Sequence, residues 1–411
     1  MNMISQAQNN KSSVIAAIEA TDYPAGIKRA LKFATLIEVG TLDITMPDGR
    51  VFHIGGGTPG PHADLIIRDY AFAAKMAKGD VGVAESYMAG DWESPNLSKF
   101  LEVFCANQPV LARLLEGRPI LRFIQMVYHW MNKNTKSGAR KNIHAHYDLG
   151  NAFYKEWLDP TMTYSSGLDF DRDRDLKASQ VRKNAALTEA LGIKPGDRVL
   201  EIGCGWGGFA EFAAGEVGAH VTGLTISEAQ YTFAQERIAK AGLADKVDLK
   251  LQDYRDERGT YDHIVSIEMF EAVGEAYWPT YFNQLQQCLK PGGKAGVQVI
   301  TIREDIFPRY RRELDFIRRY IFPGGMLPTP TILEQLAEKH GLSVAGAREF
   351  GYDYAQTLAT WRDRFHAAWG RIAPLGFDDR FKRLWTYYLS YCEAGFRAGS
   401  IDVRQMVFAK G

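Results

Sequence analysis

The sequence predicts an α/β protein of two domains: a smaller N-terminal α+β domain over residues 1–135, and a larger domain over 136–411 built on a parallel sheet with helices on both faces. Three observations carry this reading. At 411 residues the chain exceeds the roughly 250 to 300 at which a single core stops growing. From Gly196 onward, short apolar runs alternate with amphipathic stretches of helical period, the order expected of βαβ units. The first of these runs, Val199-Leu200-Glu201-Ile202, leads straight into Gly203-Cys204-Gly205-Trp206-Gly207-Gly208, a strand that enters a glycine-rich turn before a helix.

The smaller domain has strand signals at Leu42 to Thr45 and Arg50 to His53, and Asp48-Gly49 between them has the chemistry of a hairpin turn. Helical patterns follow. Asn132 to Lys141 is polar, basic and weakly periodic, and the domain boundary is placed there. In the larger domain the strands are expected at Arg198 to Ile202, Ala219 to Leu224, Val247 to Leu251, His263 to Ile267 and Lys294 to Ile302. Ser227 is positioned to cap the helix after the second strand, and Pro291-Gly292-Gly293 to end the helix before the fifth.

Lysine plus arginine and aspartate plus glutamate each number 49, so no net field draws the protein onto nucleic acid. The four cysteines, Cys105, Cys204, Cys288 and Cys392, lack disulfide or zinc spacing and read as reduced thiols. No apolar h-region opens the chain, and no apolar run approaches the ~18 to 20 residues of a membrane span. A cytoplasmic protein, soluble or at most peripherally bound to a membrane, is expected.

The glycine turn reads G-x-G-x-G-G, not the G-x-G-x-x-G of dinucleotide sites, and the second strand ends Gly223-Leu224-Thr225 without the acid that a nicotinamide ribose takes. A strand followed by E-x-G-x-G resembles the first motif of class I S-adenosylmethionine (SAM) methyltransferases, whose domain is Rossmann-like. That resemblance implies that Gly203 and Gly205 line the methionine part of the cofactor.

Further stretches narrow the resemblance. Thr222 to Gln230, Leu251 to Asp256, Phe270 to Gly274 and Tyr320 to Gly325 resemble cyclopropane fatty acid synthases in order and spacing, as do His146 to Asn151, Met162 to Ser165, Tyr387-Tyr388-Leu389 and Gly395-Phe396-Arg397. The likeness covers at least residues 144–411. It extends to the family's lipid-binding domain through Gly82 to Met88 and Gly90-Asp91-Trp92. It implies methyl transfer from SAM to a cis double bond of a phospholipid acyl chain, at the inner face of the membrane, with a cyclopropane as default product and a homodimer as the assembly.

Position by position, the resemblance puts Tyr164, Ser165, Thr225, Gln230, Asp253, Tyr254 and Ile267 around the cofactor. It puts a bound bicarbonate, acting as base, on Ser166, Glu271, Gln298, Ile300 and Tyr320. An alkene is a weak nucleophile, and methylation leaves a carbocation that water would capture, so the site must be dry and electron-rich. Aromatic faces such as those of Tyr164 or Tyr320 can stabilise that cation by roughly 0.5 to 2 kcal/mol each. A base must then remove a proton, and ring closure requires that the proton leave the new methyl.

Four positions depart from the ring-forming pattern. Ser166 stands for cysteine, Ala272 and Gln298 for histidines, and Glu268 for glycine. Gln298 can hydrogen-bond an anion but cannot titrate near neutral pH. Glu268 has two readings of equal weight: a second base that changes which proton is lost, giving methyl-branched or methylene products, or a ligand of the cofactor's ribose or amine. A lipid-binding protein without catalysis is a further alternative, against which the intact glycine turn and Glu271 speak. Fold alone also admits a small-molecule or RNA methyltransferase.

Other features have ordinary explanations beside functional ones. Arg309, Arg311, Arg312, Arg318 and Arg319 can meet anionic headgroups or form ion pairs with the acids among them. His144 and His146 lack ligand partners at metal spacing, so no metal is expected. The aromatics from Trp361 to Tyr391 fall largely at helical spacing and read as core, with an acyl tunnel as the alternative.

Overall fold

The computed structural model describes residues 3–76, 78–108, 110 and 149–411. The boundary stretch 132–141, His144, His146 and the start of the motif that runs to Asn151 lie outside the described residues. Two compact units form: Met1–Ile124 with Leu314–Arg319 and Phe377–Ser400, and Gln125–Glu313 with Tyr320–Gly376 and Ile401–Gly411.

The first unit holds a four-stranded sheet of β1 (Val39–Thr45), β2 (Val51–Gly55), β3 (Thr58–Ile67) and β4 (Trp92–Glu93), in the order β2-β1-β3-β4. The expected hairpin is there, with Gly49 at φ 82° in the left-handed region that its turn needs. β1 and β3 pair in parallel, a crossover that local sequence does not announce. Alternation decides the faces: Leu42, Ile44, Phe52, Ile54, Ala63 and Leu65 point inward, and Thr41, Asp43, His53, His62 and Asp64 point outward. The helix Asp379–Arg397 packs in this unit against the helix Leu97–Ala106, and Ser98 donates to Glu393 across the pair at 2.5 Å. Trp92, wholly buried, stacks near Tyr87 and Phe100, and Ser86 and Lys75 both bond Asp91. The Gly82–Met88 and Gly90–Trp92 stretches therefore build core here.

The second unit is a seven-stranded sheet of β5 (Arg198–Ile202), β6 (His220–Thr225), β7 (Val247–Leu251), β8 (Tyr261–Ile267), β9 (Leu289–Ile302), β10 (Leu342–Glu349) and β11 (Ile401–Lys410), in the order β10-β11-β9-β8-β5-β6-β7. Leu200, Ile264, Val297 and Val299 face a core completed by Tyr281, Phe282, Leu285, Leu333 and Ala337. Val199, Val221 and Val265 face another, with Leu187, Leu191, Phe209, Ala210 and Ile238. Each buried aliphatic of this kind stabilises the fold by roughly 1.5 to 3 kcal/mol, which is why strands apolar on both faces settle between two helical layers.

Three expectations need correction. The sheet is not wholly parallel, because β11 runs antiparallel to both β9 and β10. β10 and β11 are themselves additions: β10 is exposed along nearly its whole length and both carry charges, unlike the near-continuous apolar strands in the middle. Pro291-Gly292-Gly293 lies inside the span of β9 and not before it. The helix has already ended at Cys288, and the glycines fall where β9 shifts register against β8.

Candidate active site

The parallel strands deliver their C-terminal ends to one edge of the sheet, where ligand sites of such folds lie. After β5 the backbone turns through Gly203 (φ 85°) and Gly205 (φ 50°). Leu224 at the end of β6 accepts from both Gly203 N–H (3.0 Å) and Cys204 N–H (2.8 Å), and Thr225 accepts from Gln252 N–H after β7 (2.9 Å), so the three turns are tied together. A Cβ on Gly203 would lie 2.8 Å from Met269 Cγ, whereas one on Gly205 would meet nothing within 4 Å. The turn thus leaves backbone beside open space, which is what a SAM-sized ligand needs.

Thr225 and Gln230 are both buried and bond each other at 3.0 Å. Ser227 caps the helix Glu228–Lys240, as its position predicts. Asp253, also buried, has its two oxygens on the Arg255 guanidinium at 2.8 and 2.6 Å. Tyr254 meets the ring of Tyr281 edge-on at 5.6 Å. Tyr164 sits among Tyr154, Trp157 and Trp361, with ring centroids 5.2 to 5.6 Å away. Ser165 accepts from Lys183 Nζ at 2.9 Å through its hydroxyl and from Gln180 at 2.7 Å through its carbonyl. Lys183 is buried, and burial lowers its ammonium to about 8.

Just beyond β8 two carboxylates gather most of the other expected residues. Glu268 has φ 49°, a left-handed conformation that glycine takes readily and other residues at a cost of roughly 1 to 2 kcal/mol. Three donors hold its carboxylate: Ser166 N–H (2.9 Å) and Gln298 Nε2 (2.8 Å) on Oε1, and Tyr354 hydroxyl (2.6 Å) on Oε2. The Ser166 hydroxyl turns away to the Gly167 carbonyl, so the backbone of Ser166 is what reaches the site. Burial raises the Glu268 acid, and these donors and Lys183 oppose that rise.

Glu271 accepts from Ile300 N–H at 2.5 Å on Oε1, while its buried Oε2 has no hydrogen bond among the described residues. Burial first, and then the charge of Glu268, push Glu271 up to about 8. Tyr320 closes the short helix Phe316–Tyr320 and is half-buried; among the described residues no hydrogen bond joins it to either glutamate. Ile267 is half-buried at the end of β8, opposite Gln298 in register.

Sequence reasoning did not find Lys183, Tyr354 or Gln405, which come from distant elements. Only the buried polar character of a lysine inside a helix and a glutamine inside a strand could have signalled them. The donors expected to hold a bicarbonate are largely engaged: Ser166 N–H and Gln298 bond Glu268, and Ile300 N–H bonds Glu271. A bound anion would have to compete with these two carboxyl groups for the same three donors.

The arginine set is mostly paired: Arg309 with Glu313, Arg311 with Glu275, Arg318 with Asp315 and Arg319 with Glu85. The aromatics Trp361, Phe365, Trp385, Tyr387 and Tyr388 are buried core. Among the described residues one group of metal-capable side chains, Asp43, His62 and Asp64, lies on the outward face of β1 and β3. His53 pairs with Asp43 and Thr41 bonds His62, which makes it an ordinary polar sheet face.

The family described as mycolic acid cyclopropane synthetase matches residues 134–406. The tuberculostearic acid methyltransferase of Mycobacterium tuberculosis is 40% identical over 362 residues, covering 85% of this protein and 84% of that one. The cyclopropane-fatty-acyl-phospholipid synthase of Escherichia coli is 38% identical over 373 residues, covering 87% and 90%. Among solved structures, a mycolic acid cyclopropane synthase complexed with SAH and CTAB superposes with a TM-score of 0.62 at 32% identity, over 66% of this protein and 98% of that one. The matched span runs from before β5 into β11 and carries the glycine turn and both glutamates with it, so the protein belongs to the mycolic acid cyclopropane synthetase family and is a SAM-dependent methyltransferase.

Proposed function

We propose that the enzyme methylates a cis double bond in the acyl tail of a phospholipid, and that Glu268 then takes a proton from that tail, so that the product is methyl-branched. The observation that carries this is the grip of three donors on Glu268, a carboxylate standing among the groups expected to hold bicarbonate. The lipid substrate rests on the relatives, whose names include both a fatty-acyl-phospholipid synthase and a tuberculostearic acid methyltransferase. Among the described residues no helix is long and apolar enough to cross a membrane, and the lipid would be met at the membrane surface.

Bound SAM supplies an electrophilic methyl group. Gly203 and Gly205 admit it to the backbone at the end of β5, with Thr225, Gln230, Asp253, Tyr254 and Ile267 along the neighbouring strand ends. The alkene π pair forms the new C–C bond, the S–C pair stays on sulfur, and the adjacent acyl carbon is left cationic. The rings packed around Tyr164 would keep water from that cation and offer it an aromatic face. A carboxylate offers about four lone-pair positions, and three on Glu268 are used, which leaves one on Oε2 for the proton. When a C–H bond of the acyl tail breaks, its electron pair restores the alkene beside the new branch. Glu271, raised to about 8, holds its own proton at neutral pH, so the two acids divide into one donor and one acceptor. A strained backbone at Glu268 fits this assignment, since strain persists where function keeps it.

The test is expression in a host without its own cyclopropane synthase, with fatty acids separated before and after hydrogenation. Wild type should give methyl-branched alkenes, which take up hydrogen, and Glu268→Gly should shift the product toward cyclopropanes. If wild type gives only cyclopropanes, and Glu268→Gly weakens SAM binding without changing the product, Glu268 is a cofactor ligand and the reading fails.

A further inference from the structure

Three adjacent strands place Gln405, Gln298 and Glu268 in a row: Gln405 of β11 is the register partner of Gln298 of β9, and Gln298 in turn pairs with Ile267, the residue before Glu268. Both glutamines are buried. A primary amide has a donating and an accepting end, and an amide flip would exchange them, so each orientation needs an anchor. The anchor here is a backbone carbonyl, which only accepts. Gln405 Nε2 lies 3.1 Å from the carbonyl oxygen of Lys183, in the helix Leu176–Leu191, so the NH2 end of Gln405 faces that way. The second hydrogen of the same NH2 goes to Gln298 Oε1 at 3.1 Å. With its oxygen taken, Gln298 must present its own NH2 to Glu268 Oε1, at 2.8 Å.

We propose that Gln405 is a positioning residue that locks the Gln298 amide with its N–H toward Glu268, and so keeps that carboxylate a proton acceptor. This rests on the reading of Glu268 as the base. A flipped Gln298 would set its oxygen against the carboxylate, and the only relief would be a proton on Glu268, which would end its service as a base. Because glutamine does not titrate, the polarity of this contact is set by orientation alone. The other charged or titratable groups around Glu268 are Lys183 on its helix, Glu271 after β8 and Tyr354 on the helix Gly351–Ala367, with Glu201 and Asp159 acting on Lys183. None of them shares a side-chain hydrogen bond with Gln405, whose amide among the described residues reaches only the Lys183 carbonyl and Gln298.

The experiment is a double-mutant cycle on the full-length protein, using Gln405→Met, Gln298→Met and the double variant, with thermal melting to confirm folding and Gln405→Leu as a second removal of the donor. In Gln405→Met the acidic limb of the kcat profile should move to higher pH by about one unit, a roughly tenfold loss on that limb that higher pH restores. KM for SAM should stay within about twofold. In difference infrared spectra of the protein without SAM, the carboxylic-acid band absent from Glu268→Gln should persist to higher pH in the Gln405 variants. The double variant should be no worse than Gln298→Met alone, because both changes remove one interaction. An unmoved limb and an unmoved band, or losses that simply add, would overturn the proposal. If Glu268→Gly changes the product but the Gln405 variants leave the limb in place, only the positioning role fails; if Glu268→Gly changes nothing in product or pH profile, the assignment of Glu268 as base fails first.

Discussion

The turn after β5 and the carboxylate cluster after β8 lie on the same sheet edge but are built in opposite ways. The turn is a run of consecutive residues, Glu201 to Gly207, whose shape comes from positive φ angles and two hydrogen bonds to Leu224. The cluster draws on Ser166, Lys183, Glu268, Glu271, Gln298, Ile300, Tyr354 and Gln405, and no two of the first five are closer than three residues in sequence. Binding a common methyl donor needs only a local backbone shape, which many folds can share. Choosing which proton leaves the product, the role proposed for the cluster, needs side chains fixed from several directions, and the cluster accordingly draws on strands as far apart in sequence as β8 and the antiparallel β11.

The largest expected effect separates the two regions. Gly205→Val should reduce SAM affinity by calorimetry by roughly tenfold to hundredfold, since overpacking costs on the order of 1 to 3 kcal/mol and here the ligand itself must give way. Its melting temperature should fall by less than that of Gly203→Val, because a Cβ there meets no protein atom within 4 Å and only the strain of a β-branched residue at φ 50° is felt. Gly203→Val should lose affinity and also stability, since its Cβ would press on Met269 at a φ of 85°. If Gly205→Val binds SAM normally, the turn is not the cofactor's seat and the contrast collapses.

That asymmetry also explains what the sequence could tell. The middle strands were legible because they are apolar on both faces, β5 also because it runs into the glycine turn, and the observed spans of β5 and of the edge strand β7 coincide with those expected. Ser227 was legible as a cap because capping is a matter of three residues. β10 and β11 were not, because their charged and polar residues match a solvated surface as well as a sheet edge. Glu268 and Glu271 stood out through the resemblance, but their partners did not. Tyr354 reaches Glu268 across 86 positions and Gln405 reaches Gln298 across 107, and no local rule joins residues so far apart. The bicarbonate expectation illustrates the cost of carrying residues over singly: each proposed holder is present, yet three of the donors are engaged by the protein's own carboxylates.

An intermediate effect is expected at Tyr354. Its hydroxyl is one of three donors on Glu268, and hydrogen bonds to charged groups contribute roughly 1.5 to 3 kcal/mol, of which two remaining donors would retain part. Tyr354→Phe should therefore lower kcat by about tenfold while SAM affinity, read by calorimetry, stays close to wild type. The loss should be greatest at acid pH, because a carboxylate with fewer donors keeps its proton longer. Equal losses in affinity and turnover would instead tie Tyr354 to the cofactor and blur the line between the two regions.

The smallest effect concerns Glu201, which lies within the turn's own segment but is buried where the cluster's Lys183 can act on it. Burial pushes its carboxyl up to about 8, with the charge of Lys183 opposing, and its Oε2 has no hydrogen bond among the described residues. A carboxyl whose folded pKa lies above its unfolded value near 4.5 favours the folded state fully at acid pH, and that advantage is lost as pH rises toward 8. Lys183, lowered to about 8, works the other way: its contribution is present at alkaline pH and is lost as pH falls through 8. Glu201→Gln keeps an oxygen for the Ala210 N–H that the carboxylate accepts from, and removes only the titration. The variant's melting temperature relative to wild type should therefore be higher at pH 8 than at pH 5. A stability gain on the order of 1 kcal/mol corresponds to a shift of about 2 to 4 °C in a domain of this size. A difference that stays flat across this range would mean that Glu201 is ionised throughout and paired with Lys183, and the turn would then belong electrostatically to the cluster it has been contrasted with.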